Sequence, residues 1–243
     1  FSFQAEDGIR DSSVTEFRRV LFRSLRARGG AIELRLHAHY NPENITQYNV
    51  VPGLMGVVLT MTMVIITGLA ITRERERGTM ENLLATPVRP FEVMVGKILP
   101  FILVGYIQVT LILLAARFIF GVPMVGSLLL LYPVALLFIA ANLAVGITFS
   151  TLAQNQLQAV QMAMMFFLPN LLLSGFAFPF LGMPRWAQIL SECLPLTHFI
   201  RIVRAIMLKG STAADLHYDA IALAGLMLIA MSVAVTRFRR TLD

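Results

Sequence analysis

Apolar residues in this chain form five long runs, and shorter polar stretches separate them. A helix that crosses the hydrocarbon core of a bilayer needs about 20 predominantly apolar residues. Each run comes close to that length. The pattern therefore predicts five membrane-spanning helices, at residues 51–72, 98–120, 127–152, 159–180 and 220–236.

The chain ahead of the first run follows other patterns. Apolar and polar positions alternate over residues 31–40, which predicts a half-buried strand. Because a single strand is not stable alone, residues 25–50 are interpreted as the remnant of a larger sheet domain. Residues 1–24 have no sustained period and resemble translated library-adapter sequence, so we interpret them as a non-native lead-in. A genuine disordered or helical lead-in is the alternative.

Composition supports a membrane protein. Hydrophobic residues make up 57% of the chain and charged residues 14%, and the mean hydropathy is +0.73. A soluble domain has about a quarter of its residues charged. The net charge is +6, but the basic residues form no stripe interleaved with stacking aromatics, so nucleic acid is not an expected partner. The single cysteine, Cys193, excludes an internal disulfide and a multi-cysteine metal site.

Basic residues predict the orientation of the spans. Five of them lie within residues 73–97, between the first two spans, and three arginines follow the last span. The two groups fall on one side when the spans alternate, and lysine and arginine collect on the cytoplasmic side of a membrane. Residues 181–212 carry four basic residues on the opposite side, which weakens this prediction without reversing it.

The most charged stretch of the chain lies in residues 73–90. Ion pairs at i,i+3 predict that the first span continues as a helix through Glu76, and Gly78 is expected to end it. Thr79 can then begin a short helix in which Met80, Leu83 and Leu84 share one face. That pattern is typical of a helix that docks in a partner's groove. The residues alone leave a second interpretation equally open, namely a solvated loop against the lipid headgroups.

Two spans carry polar groups in mid-membrane. Small and amide residues recur on one face of the third span and predict close helix packing or dimer contact, with substrate contact as the alternative. The fourth span contains a proline and is predicted either to be kinked and to line a pathway or to pack simply. The residues concerned are Asn142, Gly146 and Ser150 in the third span, and Gln161, Pro169, Asn170 and Ser174 in or near the fourth.

Residues 181–212 predict two outer re-entrant or amphipathic helices, each too short to span the membrane. Trp186 suits the membrane interface in the first. Thr197 is predicted to cap the second, whose apolar face includes Phe199, and Gly210 to end it. His198 is interpreted as an interfacial polar residue.

Several of these stretches together resemble one protein family. The run TRERERGTMENLLATPVRPFEVMVGKILPF is similar to the signature loop of ABC-2 type transporter permeases of the drug-export-like branch. The similarity extends through NPENITQYNVVPG before it and through LLSGFAFPFLGMP and PLTHFIRIVRAIMLKG after it. It covers residues 32–243 and implies an all-α integral membrane protein in an ABC-2, type V exporter-like arrangement. The family also has an earlier span and a full extracytoplasmic domain, so the chain is expected to be an N-terminally truncated member.

The resemblance implies partners and functional residues. Members form homo- or heterodimers and pair with ABC ATP-binding subunits in the inner membrane, sometimes with a periplasmic adaptor. ATP and magnesium are expected on the partner, so the permease itself is neither an enzyme nor a binder of a cofactor or metal. Within residues 73–97, the implied contacts with the ATPase are Arg73, Glu74, Arg75, Glu76, Arg77, Gly78, Thr79, Met80, Glu81, Leu83, Leu84, Pro87 and Arg89.

Two other classes of membrane protein are less consistent with the sequence. An ion-coupled secondary transporter usually carries a buried ionisable residue, and the predicted spans one, three, four and five contain no such residue. A membrane-embedded enzyme needs a catalytic constellation, and no HExxH motif or Ser/His/Asp arrangement is evident. The chain also lacks the GxxxxGK[ST] phosphate-binding loop, which is consistent with ATP hydrolysis on another subunit.

Overall fold

The computed structural model describes residues 46–78 and 90–242, and the regular structure in those ranges is entirely helical. Five of the helices are long and apolar enough to cross a membrane, which confirms the predicted all-α membrane architecture. The predicted strand and the lead-in lie outside the described residues. The helices of the described ranges are α1 Thr46–Glu76, α2 Pro90–Phe118, α3 Leu128–Leu152, α4 Gln156–Leu173, α5 Arg185–Glu192, α6 Pro195–Arg204 and α7 His217–Leu242.

The fourth long helix differs in length from its prediction. Helix α4 begins at Gln156 and ends at Leu173, whereas the apolar run suggested residues 159–180. The Asn155 side chain caps its first turn by accepting a hydrogen bond of 2.8 Å from the backbone N–H of Gln158. Gly175 follows the helix with a φ of 81°, a left-handed conformation that glycine adopts without steric cost. The remaining residues form a bend and a 3₁₀ turn, Phe180–Gly182.

Helices α1 and α3 form the centre of the bundle. They run side by side in the same direction and approach closely where small residues meet, since a Cβ placed on Gly68 would lie 3.8 Å from the Gly146 carbonyl oxygen. Helix α3 also contacts α2, α4, α6 and α7. The outward faces of α2 and α7 expose large apolar side chains such as Leu103 and Leu228, as expected for surfaces in lipid. We call the end of the bundle at which α1 finishes the inner end and the opposite one the outer end.

The short helix α6 lies inside the bundle at its outer end. Its residues from Pro195 to Ile200 are buried against α1, α3 and α7. Phe199 stacks on Phe138 of α3 with ring centroids 4.0 Å apart. Glycine at position 56 of α1 permits this approach, since a Cβ there would lie 2.6 Å from Leu196 Cδ1. The apolar face of α6 therefore contacts protein, where the sequence suggested the outer leaflet.

The predicted start of α6 differs from the structure, whereas its predicted end agrees with it. The helix begins at Pro195 and not at Thr197, because Thr197 is buried and its hydroxyl lies 3.1 Å from that of Ser191 on α5. At the other end a π-helical turn, Ala205–Lys209, continues α6. Gly210 then ends it in a left-handed conformation with a φ of 64°, as predicted.

Candidate functional site

The candidate site is the charged end of α1. The helix continues past its apolar run through Arg73–Glu76, as the ion-pair spacing predicted. Gly78 then adopts a φ of 68° and its N–H donates to the Arg75 carbonyl at 3.1 Å. Arg73, Arg75 and Arg77 are exposed around this turn. The inner end of the bundle therefore presents a cationic helix terminus to its surroundings.

Glu76 connects this terminus to a distant part of the chain. One of its carboxylate oxygens accepts a hydrogen bond of 2.7 Å from the backbone N–H of Gln156, and the other accepts one from the Gln156 side-chain amide. The Arg75 guanidinium donates to the Ala153 carbonyl oxygen at 3.4 Å. We call these contacts of Arg75 and Glu76 with residues 153–156 the inner junction. Sequence reasoning missed it, because contacts across about 80 residues leave no local periodicity.

The rest of the implied coupling segment lies outside the described residues. This applies to Thr79, Met80, Glu81, Leu83, Leu84, Pro87 and Arg89. The structure resumes with α2 at Pro90, where proline in a first turn costs no hydrogen bond. The short docking helix thus stays a prediction, while the ends of the two long helices that flank it are described.

The predicted polar face of α3 lies against α1. Asn142 and Ser150 are buried, and a Cβ on Gly146 would lie 2.9 Å from both the Thr67 Cβ and the Val64 carbonyl oxygen. The Asn142 amide donates to the Phe138 carbonyl of its own helix at 2.9 Å. The structure therefore places this face at a helix contact within one chain.

The polar residues of α4 point in different directions. Gln161 and Pro169 are exposed, whereas Asn170 and Ser174 are buried. The Asn170 amide donates to the Phe166 carbonyl at 2.9 Å. Helix α4 continues through Pro169 to Leu173. The structure thus does not bring the four predicted residues together on one surface.

Four charged or titratable side chains meet at the outer end, in a group that we call the outer ionic cluster. His198 Nδ1 lies 2.8 Å from the Asp219 carboxylate and its Nε2 lies 3.0 Å from the Glu192 carbonyl oxygen. Arg201 donates to the Glu192 carboxylate at 2.6 Å and stacks on the Phe180 ring at 4.4 Å. The cluster joins α5, α6 and α7.

The cluster favours the charged form of His198. Its neighbours at both ring nitrogens are oxygen acceptors, so only the doubly protonated ring donates to both. Burial alone would lower the pKa of His198, but the hydrogen bonds and negative charges of Asp219 and Glu192 outweigh burial and raise the pKa above its ordinary value. His198 is thus buried among protein groups that favour its charged form, and is not the lone interfacial polar residue that the sequence suggested. The signal was the spacing of His198 and Arg201 at i,i+3 on one helix face.

Helix α2 is held to its neighbours by polar contacts near the middle of its span. The Thr62 hydroxyl of α1 donates to the Gln108 side-chain oxygen at 2.8 Å. The hydroxyls of Thr110 and Tyr132 lie 3.0 Å apart and join α2 to α3. Hydrogen bonds of this kind between helices have no water competitors in a bilayer.

The described side chains also bear on whether the chain can hold a metal ion. Within residues 46–78 and 90–242, no group of three or more His, Cys, Asp or Glu side chains is placed to hold a metal ion. The site consists of an exposed cationic terminus, a junction between helices and a bundle of apolar spans. Such an arrangement can bind a partner and transmit movement.

Comparison with known sequences agrees with this description. The profile of the ABC-2 type transporter family matches residues 21–208. The chain is 32% identical over 213 residues to the Escherichia coli K12 protein named "Probable multidrug ABC transporter permease YbhS", which covers 87% of this chain and 56% of that protein. It is 33% identical to the "Probable multidrug ABC transporter permease YbhR" of the same strain, over 74% of this chain and 49% of that protein.

More distant relatives occur in a eukaryote. The "ABC transporter G family member 20" of Dictyostelium discoideum is 27% identical over 73% of this chain and 24% of that protein. The chain spans about half the length of the bacterial relatives that it matches. With five candidate spans and a family match over most of its length, the chain belongs to the ABC-2 type transporter family of membrane proteins.

Proposed function

We propose that this chain is the transmembrane permease subunit of an ATP-driven ABC-2 exporter in the inner membrane. In this proposal it forms the substrate pathway as a dimer and couples to a separate ATP-binding subunit through residues 73–89. The ATPase binds and hydrolyses ATP with magnesium, and the permease carries no cofactor of its own. A periplasmic adaptor protein is compatible with this assembly.

The proposal rests on the charged end of α1, together with the membership of the chain in the ABC-2 family. Helix α1 extends beyond its apolar run into Arg73–Glu76, and α2 begins again at Pro90. A segment fixed to two spans can pass a force from outside the bilayer directly into the bundle. Its cationic terminus is also suited to an acidic surface on a soluble partner.

Dimerisation has support from the exposed apolar surface. Leu103, Ile107, Leu111 and Leu114 are exposed along one side of α2. Such a stripe of exposed apolar side chains can face lipid or a second copy of the chain. Separately, the names of the relatives describe transport permeases or transporters. Polar residues of the spans such as Asn142, Ser150 and Asn170 are buried between helices of one bundle. We therefore infer that the substrate pathway lies between two copies of the chain.

Co-purification tests the proposal. The permease is co-expressed with the ATP-binding subunit encoded beside it, as wild type and as the double variant Met80→Asp with Leu84→Asp. We expect the wild type to retain the ATPase and the double variant to lose it, because two carboxylates cannot enter an apolar groove without a large desolvation cost.

The control makes the same chemical change at the other end. Ile189→Asp with Leu190→Asp alters two exposed residues of α5, at the outer end, and is expected to leave ATPase binding intact. Normal binding by the Met80/Leu84 variant would refute docking through this segment. Labelling of Thr79→Cys from the periplasmic face of intact cells, in a Cys193→Ser background, would refute the orientation.

A further inference from the structure

Helix α4 combines a narrow buried face with hydrogen bonds at its two ends. Its buried residues are Ala159, Ala163 and Asn170, and the helix packs mainly along α1. At the inner end Gln156 donates hydrogen bonds to both carboxylate oxygens of Glu76. The end contacts are therefore the directional part of an attachment that the packing on α1 completes.

The inner attachment is well matched to a helix start. The first N–H groups of a helix have no partner within it, and the Glu76 carboxylate accepts the N–H of Gln156, the first residue of α4. A negative charge at this position is further stabilised by the helix dipole. Because charge-assisted hydrogen bonds are short and directional, Glu76 fixes the position of α4 relative to the end of α1.

The outer attachment leads on to the short helices. The Ser191 hydroxyl of α5 donates to the Leu173 carbonyl oxygen at 2.7 Å. Arg204, the last residue of α6, donates to the carbonyl oxygen of Gly175, just after α4, at 3.2 Å. The outer end of α4 and the residues that follow it are thus bonded to both α5 and α6.

We propose that Glu76 is a positioning residue that couples movement of the ATPase-docked segment to α4, and through α4 to the outer helices α5 and α6. The proposal rests on the proposed function, because the ATPase supplies the movement. Glu76 contacts neither substrate nor nucleotide in this scheme. It acts through Gln156, and Arg75 supports it through Ala153.

The test uses variants that break and restore the same pair. Glu76→Ala removes both hydrogen bonds, and Gln156→Glu places two carboxylates face to face. The swap Glu76→Gln with Gln156→Glu restores them, because the new amide donates to the new carboxylate while its oxygen still accepts the backbone N–H. Gln154→Ala changes an exposed side chain in the same loop and serves as the matched control.

Distance measurements by electron paramagnetic resonance report the movement. In a Cys193→Ser background, one spin label is placed at Leu129, an exposed residue at the start of α3. A second is placed either at Leu172 on α4 or at Phe118 at the end of α2, both exposed near the outer end. Labelled permease diluted with unlabelled copies is assembled with the ATPase and measured with and without ATP and vanadate.

In the wild type, both the α2 and the α4 distances should change with nucleotide. In Glu76→Ala and Gln156→Glu, measured on samples that retain the ATPase, the α4 change should fall to about half or less while the α2 change persists, because the hydrogen bonds between Glu76 and α4 are lost. The swap and Gln154→Ala should behave as wild type. A variant that was merely misfolded would lose the α2 response and the ATPase as well.

The outcomes separate the two proposals. A full α4 response in Glu76→Ala, with the ATPase bound, would overturn the role of Glu76 and leave the proposed function standing. The same holds if the swap fails to restore the response. A wild-type permease that retains no ATPase, or shows no change in either distance, would refute the proposed function and the role of Glu76 with it.

Discussion

Replacing Gly146 by alanine tests the contact between α1 and α3. The added Cβ would lie 2.9 Å from the Thr67 Cβ and 2.9 Å from the Val64 carbonyl oxygen. Carbon atoms pack best at about 3.5–4.0 Å, so the two helices must separate by about 0.5–1 Å. One of the contacting atoms belongs to the backbone, which cannot move aside as a flexible side chain can.

The expected size follows from two opposing effects. Forcing an extra methyl group into a tight contact costs about 1–3 kcal/mol. Alanine gains about 1 kcal/mol over glycine in a helix interior. Gly225→Ala in α7 has the gain without the contact, because nothing lies within 4 Å of a Cβ there. The free energy of unfolding of the two variants should therefore differ by about 1–3 kcal/mol, with Gly146→Ala the less stable.

Thermal unfolding of the purified chain in detergent measures this difference. For a chain of this size each kcal/mol corresponds to about 2–4 °C in Tm. We expect Gly225→Ala to unfold at or slightly above the wild-type Tm and Gly146→Ala to unfold several degrees below Gly225→Ala. Equal Tm values for the two variants would refute the close approach of α1 and α3 at this point.

Two further predictions concern the outer end. Phe199→Ala removes a fully buried ring and should lower the free energy of unfolding, measured by thermal unfolding, by about 3–5 kcal/mol. Phe178→Ala, at an exposed position, should have little effect. Similar losses in the two variants would contradict the burial of α6. Asp219 and Glu192 raise the pKa of His198 although burial alone would lower it. The charged His198 therefore stabilises the folded state fully below the ordinary histidine pKa of about 6.5, and this contribution is lost as the pH rises through the raised pKa. Tm should therefore fall in the wild type as the pH rises above about 6.5 and through the raised pKa of His198, and a fall of equal size in His198→Gln would show that another group titrates.

The five spans could be predicted because each depends on a local property. An apolar run of sufficient length forms a helix in a bilayer whatever lies elsewhere in the chain, since no other spanning structure satisfies its backbone. Gly78 and Gly210 were predicted for a similar reason, since both adopt the left-handed conformation that ends a helix. The sequence pattern placed the end of the fourth span at residue 180, because most residues up to Phe180 are apolar, whereas helix α4 ends at Leu173.

The contacts of the candidate site could not be predicted, because they join distant parts of the chain. Glu76 fits an ion pair within its own helix by sequence, yet its carboxylate bonds to Gln156. The apolar face of α6 is compatible with lipid and with protein, and its burial depends on distant residues such as Gly56 on α1 and Phe138 on α3. The spacing of His198 and Arg201 showed only that the two share a helix face, because their partner Asp219 lies in the first turn of another helix.

Hydrogen bonds of Gln108 with α1 and of Thr110 with α3 lie close to the midpoint of the α2 span, residues 98–118. A rigid rod fastened near its centre responds to a sideways push by tilting about the fastening. Its two ends then swing in opposite directions by similar amounts. Pressure on the inner end of α2 would thus narrow one mouth of the bundle while widening the other, and no flexible hinge is needed within the helix.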